Sequence, residues 1–204
     1  MRNFIILLTL IFLLSAMIFV GCGNKKETKK VTLTESERTE YMEKGQDLSS
    51  ETQKVLGSNL MKAIKEGGPI NALEFCNIQA YPLTDSMATA LKAHITRVTD
   101  KPRNQANTAN ENELTYIASA KEKLSAGEQV SPEIRVMDDK VIGYYPIITN
   151  QMCMQCHGSE NDQISEETLA RINELYPNDQ ATGYGVGELR GIWVVEMDGE
   201  KDHL

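Results

Sequence analysis

The chain has 204 residues, 41% of them hydrophobic and 25% charged, with a formal net charge of −8 and only 6% aromatics. That length suits one domain with a real core, and an acidic chain without a basic patch excludes nucleic acid as a partner. Its four cysteines and three histidines are few enough that each needs an explanation.

Arg2 precedes an uncharged run from Phe4 to Val20 in which Thr9 and Ser15 are the only polar residues. A positive start, an apolar stretch and then small residues predict a signal peptide over 1–21. The alternative is an N-terminal transmembrane anchor at the short end of what crosses a bilayer. Gly21-Cys22 resembles a bacterial lipoprotein signal, in which cleavage leaves a lipidated Cys22, although Phe19 stands where a small aliphatic residue is usual. Gly23 is not the aspartate associated with inner-membrane retention, which slightly favours the outer membrane. Both readings place the remainder in the periplasm, anchored to a membrane. Residues 22–33, including Lys25, Lys26, Lys29 and Lys30, read as a solvated linker that could rest against anionic headgroups, and one domain is expected over 34–204.

Thr34-Glu35-Ser36-Glu37 is a capping-box pattern that opens a long helix with Tyr41, Met42, Leu48, Val55, Leu56, Leu60 and Ile64 on one face. A break near Gly45 or Gly57 would shorten it, and Gly67-Gly68-Pro69 stops it. A short helix is predicted over 70–80, with Leu73, Cys76 and Ala80 on one side, ended by Tyr81-Pro82. Another is predicted over 83–94, with Met87, Ala90 and Leu91 inward. Ile95 to Thr99 alternates like a strand, Lys101 to Asn107 is a loop by its Pro and Asn content, and a helix follows over about 112–124. From Glu133 the period becomes two: 133–137 and 140–148 predict a hairpin. Ser165 caps a helix to Leu175, Pro177 to Gly187 is a glycine-rich loop, and Leu189 to Met197 is a strand centred on Trp193. Helices followed by antiparallel strands with helices between them predict an α+β domain.

Directly after the hairpin stands Cys153-Met154-Gln155-Cys156-His157, a C-x-x-C-H run, the spelling of a covalent haem c attachment site. Two thiols one turn apart can each add to a haem vinyl group, and the adjacent imidazole of His157 then becomes an axial iron ligand. A zinc half-site would need two further ligands at similar spacing, and neither a second C-x-x-C nor an H-x-x-x-H occurs. A thioredoxin-type dithiol needs only the two cysteines and stays open, because the pair follows a strand. Cys76 is left over in a compartment that oxidises spare thiols. It is either a buried small hydrophobe or a second iron ligand, for which His94, His203 and several methionines compete.

The combination resembles a family of single-haem c-type domains with a PAS-like fold, long classed as a domain of unknown function. The resemblance is carried by Cys76 followed by Ala80, by Lys101-Pro102-Arg103-Asn104 with Asn107, and by Tyr145-Pro146-Ile147. It continues through Cys153 to Gly158, and from Tyr176-Pro177 through Ala181-Thr182-Gly183-Tyr184 to Leu189-Arg190-Gly191. It departs at Thr96 to Asp100, where the family often has a basic, serine-rich stretch. The resemblance implies a PAS-like antiparallel sheet with flanking helices that holds one covalent haem, with His157 on one side of the iron and Cys76, as a thiolate, on the other. It also implies propionate contacts from Arg103, Asn104 and Arg190.

Three functions compete. An electron carrier has both axial positions filled by protein. A haem-based redox or gas sensor has a displaceable distal ligand, and is expected to act through a partner protein, since no kinase, cyclase or methyl-accepting segment is present. A thiol-disulfide oxidoreductase would use Cys153 and Cys156 directly. The expectation is a membrane-tethered periplasmic mono-haem cytochrome with a redox role, not an enzyme, whose partner protein is unknown.

Overall fold

The structure, a computed structural model, describes residues 32–198 apart from Asp138, Asn161 and the side chain of Tyr81. The expected signal peptide, Cys22, most of the linker and His203 lie outside the described residues. Among the described residues no helix is long and apolar enough to cross a membrane.

Helix α1, Glu35–Ala90, begins at the expected capping box: Thr34 accepts from the Glu37 amide while the Glu37 carboxylate accepts from the Thr34 amide at 2.7 Å. It is two arms joined at a break where Gly68 adopts φ 73°, a backbone conformation that favours glycine. Asn71 Nδ2 donates back across that break to the Ala63 carbonyl at 2.9 Å. The helix does not break at Gly45 or Gly57. Nor does it end at Tyr81-Pro82, a correction to the sequence reading. Pro82 removes one amide donor, but Ile78, whose carbonyl would have received it, is 66% exposed, so water can serve that carbonyl. Because the second arm runs on unbroken, its inner face continues from Leu73 and Ala80 through Thr84, Ala88 and Leu91, and Ala90, expected inward, is exposed.

Strands β1 (His94–Val98), β2 (Glu133–Met137), β3 (Lys140–Ile148) and β4 (Leu189–Asp198) form one antiparallel sheet in the order β1-β4-β3-β2. Its two faces carry separate cores, as the period-two alternation requires. Ile142, Tyr144, Ile192 and Val194 pack against Tyr116, Ile117 and Ala120 of α2, Glu111–Ser125. Val141, Tyr145, Trp193, Val195 and Met197 face α1. Val141, Ile192 and Val195 are fully buried, and each such side chain stabilises the fold by about 1.5–3 kcal/mol. Long-range hydrogen bonds hold the first arm of α1 on the sheet: Arg38 Nη1 to the Ile134 carbonyl at 2.6 Å, Tyr41 Oη to the Asp198 carbonyl at 3.0 Å, Tyr145 Oη to the Met42 carbonyl at 3.1 Å, and Trp193 Nε1 to Gln53 Oε1 at 3.1 Å. The architecture is the expected α+β, PAS-like sheet with flanking helices and a long N-terminal helix. Leu33, expected in the linker, already packs against the core.

Candidate functional site

Where β3 ends and β4 begins, Thr149 staples the two strand ends together. Its amide donates to the Glu188 carbonyl at 2.9 Å and its hydroxyl to the Gly185 carbonyl at 2.6 Å. The motif starts one residue later. Asn150 Oδ1 accepts from the Met152 amide at 2.9 Å and so caps a 3-10 turn, Gln151–Cys153. That turn runs directly into the single-turn helix α3, Met154–His157. Met154 is the buried anchor of this corner, packed with Ala181 and Tyr184, while Cys153, Cys156 and His157 keep part of their surface accessible.

The loop before β4 clasps the motif. The Tyr184 amide donates to the His157 carbonyl and the Gly183 amide to the Gly158 carbonyl, both at 2.8 Å. Two successive amides can aim at two successive carbonyls because Gly183 takes φ 79°. His157 Nδ1 lies 2.7 Å from the Ala181 carbonyl oxygen. A carbonyl only accepts, so Nδ1 carries the proton and Nε2 is left with its lone pair, the arrangement of a ligating imidazole. The Tyr184 ring stands edge-on to it, with centroids 6.3 Å apart and planes at 81°. Burial holds the His157 pKa well below its ordinary value, helped by Arg190, Arg103 and Arg97 and opposed by the Ala181 bond. The ring retains some accessible surface, yet the dense protein around it is what keeps the imidazole neutral.

Cys76, on the second arm of α1, enters the same neighbourhood. Burial pushes its thiol up, and Arg97 and Arg103 oppose the shift. Cys156 is pushed up by burial and further by Cys76 and Cys153, against Arg103, the reverse of an activated redox nucleophile. Leu73, one turn before Cys76, packs with Cys156, Ile164 and Ile172, the last from α4, Glu166–Leu175. The three cysteines of the described chain are free thiols. The rival ligand His94 is exposed at the start of β1. No group of three or more His, Cys, Asp or Glu side chains that could hold a metal ion occurs among the described residues.

The three residues expected at the propionates behave differently. Arg190 is largely buried, with Nη1 donating to Thr99 Oγ1 at 3.1 Å and its guanidinium carbon 5.4 Å from the centre of the Tyr184 ring. Its Nε and the Tyr184 hydroxyl are both buried without a partner among the described residues. Lys101 Nζ approaches the same ring at 5.6 Å. Arg103 is tied to Asp179 and to the Cys156 carbonyl. Asn104 Oδ1 accepts from the Ala106 amide at 3.0 Å and caps a 3-10 turn, Gln105–Asn107.

Sequence reasoning passed over Arg97, Tyr184 and Asp179. Tyr184 and Asp179 sit inside or beside a quoted motif, whereas Arg97 lies where the strand departs from the family pattern. A surface recess of about 400 Å³ lined by Met42, Glu43, Gln46, Asp47 and Pro132 shares none of these residues.

The fold has a counterpart, and the sequence has a family. A crystal structure described as that of the cyanobacterial heme-protein Tll0287 matches 84% of this chain and 100% of that chain, with a TM-score of 0.54 at 17% identity, a likeness of fold. No curated protein matches the sequence. The family model described as Tll0287-like matches residues 24–197. That span takes in the clasped Cys-x-x-Cys-His turn, Cys76 and all of the sheet but its last residue, Asp198, and the chain belongs to the Tll0287-like family.

Proposed function

We propose that this chain is a membrane-tethered periplasmic cytochrome of the c type, holding one haem and serving in electron transfer. Cys153 and Cys156 would attach the haem through thioethers, His157 Nε2 would be one axial ligand and the Cys76 thiolate the other. Arg190 and Tyr184, with Lys101 and the free Nη1 of Arg103, would meet the propionates, and Asn104 would hold the adjoining turn. The observation that carries the reading is the C-x-x-C-H turn whose histidine keeps its proton on Nδ1, against the Ala181 carbonyl at 2.7 Å. The unpartnered Arg190 Nε and Tyr184 hydroxyl support it, since a carboxylate brought beside them would satisfy both. When bound, a haem with both axial positions filled by protein exchanges electrons without binding substrate. Tll0287, whose fold this chain shares, is described as a heme protein, which supports the same cofactor. Anchoring through a lipidated Cys22, in the outer membrane ahead of the inner, completes the proposal.

The test is periplasmic expression with cytochrome maturation, followed by acid-acetone extraction and spectra of the oxidised and reduced protein with and without carbon monoxide. Colour that stays with the protein after extraction is the expected result. A colourless protein with both thiols titratable would establish a dithiol oxidoreductase. Carbon monoxide binding to the reduced form would turn the reading from carrier to sensor.

A further inference from the structure

Arg103 and Asp179 form an ion pair with Nη2 to Oδ2 at 2.9 Å, and the two side chains are only 11% and 6% exposed. Arg103 Nε reaches the same oxygen at 3.2 Å. A pair this enclosed is a poor device for stability, because removing two ions from water costs about as much as their attraction returns. Its remaining bonds show what else it does. Arg103 Nη2 also donates to the Cys156 carbonyl at 2.6 Å, on the residue next to His157. Asp179 Oδ1 accepts from the Ala181 amide at 2.9 Å, and the Ala181 carbonyl receives the His157 Nδ1 proton at 2.7 Å. A closed circuit therefore runs from the motif backbone through Arg103, Asp179 and Ala181 back to the imidazole. The Gln180 amide, bonded to the Pro102 carbonyl at 3.1 Å, braces the same two loops a second time.

We infer that Arg103 and Asp179 are positioning residues for the axial histidine, an inference that rests on the haem reading above. Neither touches the imidazole. They set the Ala181 carbonyl relative to the Cys156–His157 turn, and so fix both the direction of Nε2 and the strength of the bond that Nδ1 donates. A firm Nδ1–H bond makes the imidazole a better donor and favours ferric iron, and losing such an outer partner typically costs about 10–100-fold in metal affinity. Arg103 would then act mainly through the histidine, with at most one nitrogen turned to a propionate.

The experiment uses the haem-loaded protein, in which thioethers keep the haem in place while its ligation changes. Asp179→Ala removes both carboxylate contacts and Asp179→Asn removes the charge while keeping an acceptor for Ala181. Two quantities are read: the reduction potential, and the exchange rate of the His157 Nδ1 proton in the ferric protein by NMR. The expected result for Asp179→Ala is a higher potential and exchange faster by about fivefold, what the loss of one typical hydrogen bond allows, with Asp179→Asn between it and the parent. Unchanged potential and exchange, with or without a loss of thermal stability, would overturn the inference. If Asp179→Ala fails to accumulate, Arg103→Lys and Arg103→Gln are read in the same way, Lys keeping more of the parent behaviour than Gln. A parent protein without haem would sink the functional reading instead.

Discussion

A Cβ at Gly45 would stand 2.0 Å from the hydroxyl oxygen of Tyr145, so the first arm of α1 can lie this close to β3 only because residue 45 has no side chain. Tyr145 is 1% exposed and donates to the Met42 carbonyl at 3.1 Å. The ring is therefore held where the new methyl group would go.

Gly45→Ala is expected to destabilise the protein although alanine favours a helix by about 1 kcal/mol over glycine. Forcing a methyl group into a packed site typically costs about 1–3 kcal/mol, and contact at this distance lies at the upper end. The net of about 2 kcal/mol should lower a thermal melt by about 4–8 °C. In a Tyr145→Phe background the cost should shrink, and equal costs in the two backgrounds would show that the hydroxyl is not what Gly45 accommodates.

Tyr116 and Tyr144 meet on the α2 face with ring centroids 5.5 Å apart and planes tilted by 44°, but their hydroxyls differ. Tyr116 donates to the Ser131 carbonyl at 2.8 Å, whereas the Tyr144 hydroxyl is buried without a partner among the described residues. Tyr144→Phe should be neutral or stabilising by about 1 kcal/mol, and Tyr116→Phe should cost about 1 kcal/mol. Denaturant unfolding of both variants decides; the opposite order would mean that an unseen water serves Tyr144.

Burial raises the pKa values of Tyr116, Tyr144 and Tyr145, in Tyr116 with help from Glu133. A group raised in the folded state contributes stability that is intact below its unfolded pKa and is lost as pH rises above it. The folded chain binds more protons than the unfolded one from about pH 10 upward. The tyrosines' share of the stability should therefore be constant through neutral pH and fall steeply above about pH 10. Tyr144→Phe should flatten that fall, and melts between neutral and alkaline buffer would reveal it.

Cys76→Ala should change the ferric absorption spectrum and raise the reduction potential, because a coordinated thiolate donates electron density and stabilises ferric iron. If both match the parent, Cys76 is packing alone.

Cys22 lies outside the described residues, and its proposed role is read in cells. Labelled fatty acid should mark the wild type and not Cys22→Ser. Absence of label in the wild type would favour the transmembrane anchor.

Most element boundaries were legible because period and punctuation agree: the hairpin 133–137 and 140–148, the helix after Ser165 and the strand from Leu189 all stand where alternation and capping place them. Pro82 misled because a proline's local penalty says nothing about whether the carbonyl it abandons can reach water, which depends on the far side of a helix being exposed. At the site, the thiols and His157 were legible because their chemistry is written in adjacent residues. Asp179 and Arg97 were not. Asp179 matters through a chain of bonds spanning residues 103, 156, 157, 179 and 181, and only the folded loops bring those together. Arg97 faces the cluster by virtue of strand register, which a five-residue strand does not disclose on its own.

The strand order β1-β4-β3-β2 puts the last of the four strands in the interior of the sheet. Until residues 189–198 are present, β1 has no partner strand and the β2–β3 hairpin has only itself, a pairing that is marginal in water. The Cys153–His157 turn thus leaves the synthesis or export machinery before the sheet can close, on a chain still open at its middle. A maturation enzyme acting in that interval would meet both thiols on an open chain. The Gly183–Tyr184 clasp, which comes after α4 and shortly before β4, then closes over the histidine as β4 docks. Assembly order and access are thus built into one topological choice, with the closing strand also the one that completes both hydrophobic faces.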